Sequence, residues 1–308
     1  MPVNSDIQKF LDQYNSVKRK PMDEITPEEF RNGQVSYPQK KEPVKETEDR
    51  ILQLGGRNIP VRIYRPEGSG EMPALVYYHG GGWVTGSIDS HDPICRVIAN
   101  TAECAVISVD YRLAPEHPFP AAVHDAYDSL LWIYREAGRL GIDKKRIAVG
   151  GDSAGGNLAA VACIMAKERK TPEILHQLLI YPSTGYTEEP PSMKENAQGY
   201  LLTKETMKWF RKHYFTHQED ERNPYASPIL YPKLSGLPPA TIITAEYDPL
   251  RDVGKAYGEK LKNHGVPVTY LNYPDLIHGF ASFIGFVPAA LTALEEGAKE
   301  LKQALGKI

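Results

Sequence analysis

Two glycine-flanked stretches hold the residue types and spacing needed for nucleophilic chemistry. Gly151-Asp152-Ser153-Ala154-Gly155 places a serine at the G-x-S-x-G spacing. A serine so placed stands on a sharp turn between a strand and a helix and projects its hydroxyl from the C-terminal edge of a sheet. A short strand, Ile147 to Gly150, is predicted before it and a helix, about Asn157 to Glu168, after it. A phosphate-binding turn would need G-x-G-x-x-G or a Lys-Ser/Thr ending, and the stretch has neither. The second stretch is His79-Gly80-Gly81-Gly82-Trp83, directly after a predicted buried strand, Ala74 to Tyr78. Its consecutive glycines leave backbone N–H groups bare, able to face a developing oxyanion. The N–H of Ala154, in the first turn of the following helix, would add a donor and a favourable dipole.

A serine hydroxyl needs a base, and the base an orienting acid. On a sheet of this type both follow the serine, acid first and histidine second. Asp248 lies just past the predicted strand Ala240 to Ala245, and His278 past the next, Val268 to Tyr273. Both loops reach the edge that carries Ser153. Other acids stay open at this stage. Asp252 fits the first turn of the next helix, Glu246 is adjacent, and Asp275 would have to fold back toward His278. Among the histidines, His264 reads as a helix-end partner and His176 opens a strand. His213 and His217 fall in an irregular stretch, and His91, His117 and His124 precede the serine.

The elements that position these residues alternate. Strands at Ile59 to Tyr64 (read as an edge), Ala105 to Val109 and Leu178 to Tyr181 join those above. Helices are predicted over Ala121 to Ala137, Val253 to Asn263 and Ala289 to Leu305. That is the pattern of a mostly parallel sheet with helices on both faces. Residues 1–45 stand apart. One amphipathic helix is expected around Ile7, Phe10, Leu11 and Tyr14, and another after Thr26-Pro27. Residues 183–225 interrupt the alternation with prolines, charges and aromatics such as Tyr186, Trp209, Phe210, Tyr214 and Phe215. They read as an inserted helical piece.

Composition removes other classes. The 308 residues are 41% hydrophobic and 24% charged, with a net charge of −3. No basic excess marks a nucleic-acid partner. The longest apolar run, Leu158 to Ala166, is far short of a membrane span. Residues 1–20 lack the apolar centre of a signal peptide. Cys95, Cys104 and Cys163 have unrelated spacings, so neither a disulfide framework nor a zinc site is expected. They read as reduced thiols of a cytoplasmic protein.

HGGGW at 79–83, DYRLAPEHPFPAA at 110–122, GDSAGGN at 151–157, DPLRD at 248–252 and IHGF at 277–280 together resemble the hormone-sensitive-lipase-like family of α/β-hydrolases. The closer resemblance is to the bacterial carboxylesterases with the GDSAG elbow, from about residue 50 to the C-terminus. The resemblance implies an α/β-hydrolase fold with a helical cap made of residues 1–45 and 183–225, over a catalytic domain spanning 46–308. It implies a serine carboxylesterase acting on short-to-medium acyl esters through Ser153, Asp248 and His278. Oxyanion donors would be Gly81, Gly82 and Ala154. His79, Gly80 and Asp152 would be structural neighbours of the site, and 110–122 scaffold. No metal or organic cofactor is implied, and the chain would act as a monomer or homodimer. Amide, lactone and other acyl substrates share this chemistry and stay open. A non-catalytic receptor of the same fold would lack the histidine that His278 supplies.

Overall fold

In a computed structural model, which describes residues 1–33, 41–185 and 188–306, the alternation closes into an eight-stranded sheet. The strands are β1 (Glu46–Leu54), β2 (Arg57–Arg65), β3 (Met72–Tyr78), β4 (Ala105–Val109), β5 (Ile142–Asp152), β6 (Gln177–Ile180), β7 (Ala240–Tyr247) and β8 (Val268–Ile277). Their order is β1-β2-β4-β3-β5-β6-β7-β8. β1 with β2 and β2 with β4 run antiparallel; every later pairing is parallel. The parallel strands therefore present their C-terminal ends along one edge.

The helices are α1 (Ser5–Ser16), α2 (Pro27–Asn32), α3 (Ile88–Ala102), α4 (Ala121–Arg135), α5 (Ala154–Arg169), α6 (Pro191–Glu195), α7 (Lys204–Tyr214), α8 (Arg251–Asn263) and α9 (Pro288–Leu305). The period-2 geometry of a strand splits the core into two layers. Ala74, Val76 and Tyr78 of β3 face the layer that holds α4, α5 and α8. Leu75 and Tyr77 face the layer that holds α1, α3 and α9. Because both faces are covered, β4 and β6 are buried at every position and are apolar apart from Ser108 and Gln177. Each such aliphatic side chain contributes about 1.5–3 kcal/mol of burial. From Ala154 to Ala166 every residue of α5 is buried, and it has no polar stripe.

The N-terminal arm forms as its caps dictate. The Asn4 side chain accepts from Asp6 N, and Ile7 and Leu11 of α1 are buried. Thr26 and Glu29 form a reciprocal capping box at the start of α2, with Pro27 in its first turn. The stretch between β6 and β7 carries α6 and α7, and α7 meets the arm. Trp209 Nε1 donates to Ile25 O at 2.9 Å, and the rings of Phe30 and Trp209 lie 4.8 Å apart. Tyr186 lies outside the described residues, as do 34–40 of the arm.

Three elements differ from the sequence expectation. Ile59 to Tyr64 is not an edge: β1 lies outside it, and escapes notice because only its Leu52 and Leu54 are buried among charged neighbours. α3 hides behind Pro93 and the mixed Asp89, His91 and Asp92 of its first turns. β5 begins at Ile142, five residues before the predicted strand, through a charged stretch that reads as a loop.

One buried carboxylate ties scaffold to sheet. Asp125 of α4 is fully buried and accepts from Arg57 Nη1 at 2.8 Å and from Arg112 Nε and N at 2.8 and 3.0 Å. It joins the β1–β2 turn and the 110–122 segment to one helix. Asp125→Ala takes the carboxylate from Arg112 and leaves Arg57 with Asp128 alone, and denaturant unfolding is expected to show a loss of about 3 kcal/mol.

Candidate active site

Between β5 and α5 the chain turns within one residue. Ser153 sits at φ 52, ψ −112, outside the regions L-residues favour. Such a conformation costs about 1–3 kcal/mol and persists only when its surroundings hold it. Here Ser153 N donates to Ile180 O at 2.9 Å, and Ser153 O accepts from Asn157 N and Ser183 N, both at 3.1 Å. Close approach of α5 to β3 completes the turn. A Cβ on Gly155 would lie 1.8 Å from Tyr78 O, so only glycine fits there.

His278 Nε2 stands 3.0 Å from Ser153 Oγ, and its Nδ1 2.7 Å from Asp248 Oδ2. Asp248 is fully buried, and its other oxygen accepts from Leu250 N at 2.7 Å. The Asn196 side chain of the insertion bonds Asp248 O and Glu246 O, fixing the loop from above. The acids left open by the sequence are engaged elsewhere. Asp252 accepts from Ser192 N and pairs with Arg251. Glu246 pairs with the same arginine. Asp275 binds Asn4. His264 caps α8 through Lys260 O, and His176 bonds Thr241 Oγ1.

Gly81 (φ 113) and Gly82 (φ 59) turn the loop after β3 in a way side chains resist. Gly81 O accepts from Val84 N and Thr85 N at 3.1 and 3.0 Å. Among the described hydrogen bonds, none takes the amide of Gly81, Gly82 or Ala154. All three residues line the same cavity as Ser153 and His278. Phe210 of α7 closes over Gly82, where a Cβ would meet its ring at 2.3 Å.

The loop is anchored from below. Asp152 accepts from Gly80 N at 2.9 Å and from the Tyr77 hydroxyl at 2.7 Å, and lies 3.2 Å from His91 Nε2, which also accepts from Gly80 N. Burial alone would raise the Asp152 carboxyl; interaction with His91 and the Tyr77 hydroxyl outweighs it and holds it below its usual range. His79 Nδ1–H donates to Gly80 O at 2.8 Å, and its ring stacks on Tyr111 at 4.3 Å. Burial drives the His79 imidazole down to about 3, so it is neutral at working pH. His79, Gly80 and Asp152 thus hold the loop through these contacts. His91 and Tyr77 are members of this cluster that sequence reasoning missed. The Asp152 carboxylate in the elbow, which needs buried donors, was the one signal available.

The cavity over Ser153 measures about 1620 Å³. One wall is aliphatic: Met193, Leu202, Met207, Leu250 and Val253. Another is aromatic: Phe30, Trp83, Phe210 and Phe215. Leu202 and Phe210, from the stretch between β6 and β7, line the space. Trp209 does not; it is buried as a strut between α7 and the arm. Among the described residues no helix is long and apolar enough to cross a membrane.

A serine on a strand–helix elbow, with an imidazole and a carboxylate behind it in series at the sheet's C-terminal edge, defines an α/β hydrolase. The alpha/beta hydrolase fold family matches residues 75–282, and the chain belongs to it, in the hormone-sensitive-lipase-like branch that its motifs resemble. The carboxylesterase NlhH of Mycobacterium tuberculosis is 43% identical over 277 residues, covering 88% of this chain and 87% of that protein. The arylesterase of Saccharolobus solfataricus is 37% identical over 284 residues, 91% and 92% of the two chains. The hyperthermophilic esterase from Pyrobaculum calidifontis superposes with a TM-score of 0.92 at 40% identity, over 98% of this chain and 99% of that one.

Two outcomes follow from the geometry. Ser153→Gly relieves the strained turn, whereas Ser153→Ala retains it. The glycine variant is expected to be the more stable by about 1 kcal/mol in denaturant unfolding, after the entropy that glycine gains when unfolded. His79 has a folded-state pKa below its unfolded value, so between pH 6.5 and about 3 the unfolded chain binds the extra proton. Its share of stability is complete above pH 6.5 and is lost as pH falls through that window. Unfolding free energies at pH 7 and pH 5 should therefore drop more for the native chain than for His79→Asn, by up to about 1.4 kcal/mol per pH unit.

Proposed function

We propose that Ser153 is the nucleophile, His278 the general base and acid, and Asp248 the residue that orients the imidazole, with oxyanion donors at Gly81, Gly82 and Ala154. The activity is carboxylic ester hydrolysis, and the substrates are short-to-medium acyl esters. The observation that carries the reading is the unbroken series Asp248–His278–Ser153, at 2.7 and 3.0 Å, beneath a cavity lined by Gly81, Gly82 and Ala154, whose amides take no acceptor among the described hydrogen bonds.

The steps follow from these contacts. His278 Nε2 takes the Ser153 proton as Oγ attacks the ester carbonyl. Asp248 holds the tautomer with the proton on Nδ1 and stabilises the imidazolium that forms. The carbonyl oxygen becomes an oxyanion facing the three amides, each worth about a hundredfold or more in rate. Collapse expels the alcohol, which leaves with the proton from His278, and an acyl-enzyme remains. Water, deprotonated by His278, attacks that ester, and the second collapse returns the proton to Ser153 and releases the acid. No metal or organic cofactor enters the scheme.

The arm (1–45) and the insertion (183–225) act as a cap over the catalytic domain (46–308). Support comes from the cavity residues they supply, among them Phe30, Met193, Met207 and Phe210. The two walls suit an apolar acyl group and a small alcohol. The enzyme works in the cytoplasm as a monomer or homodimer; its Cys95, Cys104 and Cys163 are buried free thiols, which suits a reducing compartment.

Initial rates over p-nitrophenyl esters of rising acyl length test the reading. A maximum at short or medium chains is expected, and Ser153→Ala should remove turnover while leaving the unfolding transition in place. Asp248→Asn should keep the fold and lower kcat by about 10⁴ through the wrong tautomer. Comparable damage from Asp252→Asn or Asp275→Asn instead would reassign the acid.

A further inference from the structure

The N-terminal arm reaches the oxyanion loop through one side chain. Arg31, at the end of α2, donates from Nε to Val84 O and from Nη2 to Ala114 O, each at 2.8 Å. Its remaining donors grip Glu116 in a fork, Nη1 to Oε1 and Nη2 to Oε2, both at 2.8 Å. The Glu116 carboxylate, held by that guanidinium, is pulled down to about 2, so the pair is charged throughout the working range.

The first of these bonds enters a chain of peptides. The carbonyl that Arg31 binds belongs to the Val84–Thr85 peptide. The N–H of that same peptide, on Thr85, donates to Gly81 O at 3.0 Å. Gly81 O in turn belongs to the Gly81–Gly82 peptide, whose N–H is the proposed Gly82 oxyanion donor. Each peptide passes polarisation from its carbonyl to its amide, so serial hydrogen bonds strengthen one another. A guanidinium at one end makes the amide at the other a better donor. The second bond steadies the same loop, because Ala114, whose carbonyl Arg31 also binds, donates its own N–H to Trp83 O at 2.9 Å.

We infer that Arg31 is a positioning residue for ester hydrolysis: acting through the Val84–Thr85 and Gly81–Gly82 peptides, it aims and polarises the Gly82 N–H toward the transition-state oxyanion. The arm is thereby part of the catalytic electrostatics as well as a wall of the cavity. The inference rests on the oxyanion role proposed above for Gly82.

The test compares Arg31→Ala, Arg31→Lys, Arg31→Gln and Glu116→Gln with the parent enzyme, each titrated by a fluorophosphonate so that rates refer to competent sites. Arg31→Ala should lower kcat about tenfold, less than outright loss of a donor, with KM within about twofold. An alkyl trifluoromethyl ketone, whose adduct carries an oxyanion, should lose affinity by the same factor. The matching methyl ketone with too little electrophilicity to form the adduct should bind as before. Arg31→Lys, which keeps the charge, should stand above Arg31→Gln, which keeps a donor without it. Glu116→Gln, which leaves both carbonyl bonds in place, should stay within about twofold of the parent. An unchanged kcat in Arg31→Ala would overturn the inference, as would a loss confined to KM or one matched by Glu116→Gln. If the parent is neither labelled by the fluorophosphonate at Ser153 nor active on esters, the proposed function itself fails. Should Arg31→Ala not fold, the Lys and Gln ordering decides alone.

Discussion

The backbone at Ser153 is bent where an L-residue resists bending, and much of the surrounding structure serves to hold it there. Neighbouring strands and helix give the bent peptide its hydrogen bonds: Ile180 accepts its N–H, while Asn157 and Ser183 donate to its carbonyl. The bend also brings the first turn of α5 hard against the end of β3, which a side chain at Gly155 would prevent. A helix pressed that closely onto the sheet is covered from every side, which is why α5 carries no polar stripe. The apolar texture of one helix thus traces back to one dihedral angle.

Buried carboxylates organise what lies around that bend. Asp152 gathers the glycine loop, Tyr77 and His91 at one oxygen pair. Asp125 gathers two arginines from distant segments. Asp248 holds only His278 and its own loop. Each is satisfied by several donors, as an ionised group deprived of water must be. The difference is in who donates. Arginines lock Asp125 into the scaffold, and His91 beside Asp152 turns its other nitrogen to Ser90 in the first turn of α3, whereas His278 turns its other nitrogen to Ser153 in the cavity.

Much of this was legible in the sequence because the relevant signals are local. The elbow, the glycine loop, and the loops carrying Asp248 and His278 each lie at a strand end, and short, mostly continuous apolar runs announce the strands. The Thr26-Pro27 start of α2 was legible for the same reason, since a capping box is complete within four residues. What escaped was non-local or masked by charge. β1 buries just two residues, so its pattern resembles a solvated stretch. The charged start of β5 reads as a loop although Ile142 pairs with Met72. Nothing near His91 in the chain shows that it meets Asp152, and nothing near Arg31 shows that it meets Val84. An aromatic on an amphipathic helix gives no hint of which neighbour it will find: Phe210 lines the cavity, while Trp209 bonds Ile25.

The arm also sets a schedule for biosynthesis. Asn4 bonds Asp275, 271 residues later in the chain, and Ile25 accepts from Trp209, 184 residues later. On the ribosome α1 and the start of α2 emerge well before Asp275 and Trp209, on which they dock. At ordinary elongation rates the wait for Asp275 is roughly 15 to 50 s. Through that interval α1 lacks its bond to Asp275 and the ring contact of Phe10 with Phe283. Arg31 meets Val84 early, but the platform beneath α2 is finished only when α7 has been made. A nascent chain therefore holds the residues of its glycine loop long before His278, which completes the series to Ser153, has been made.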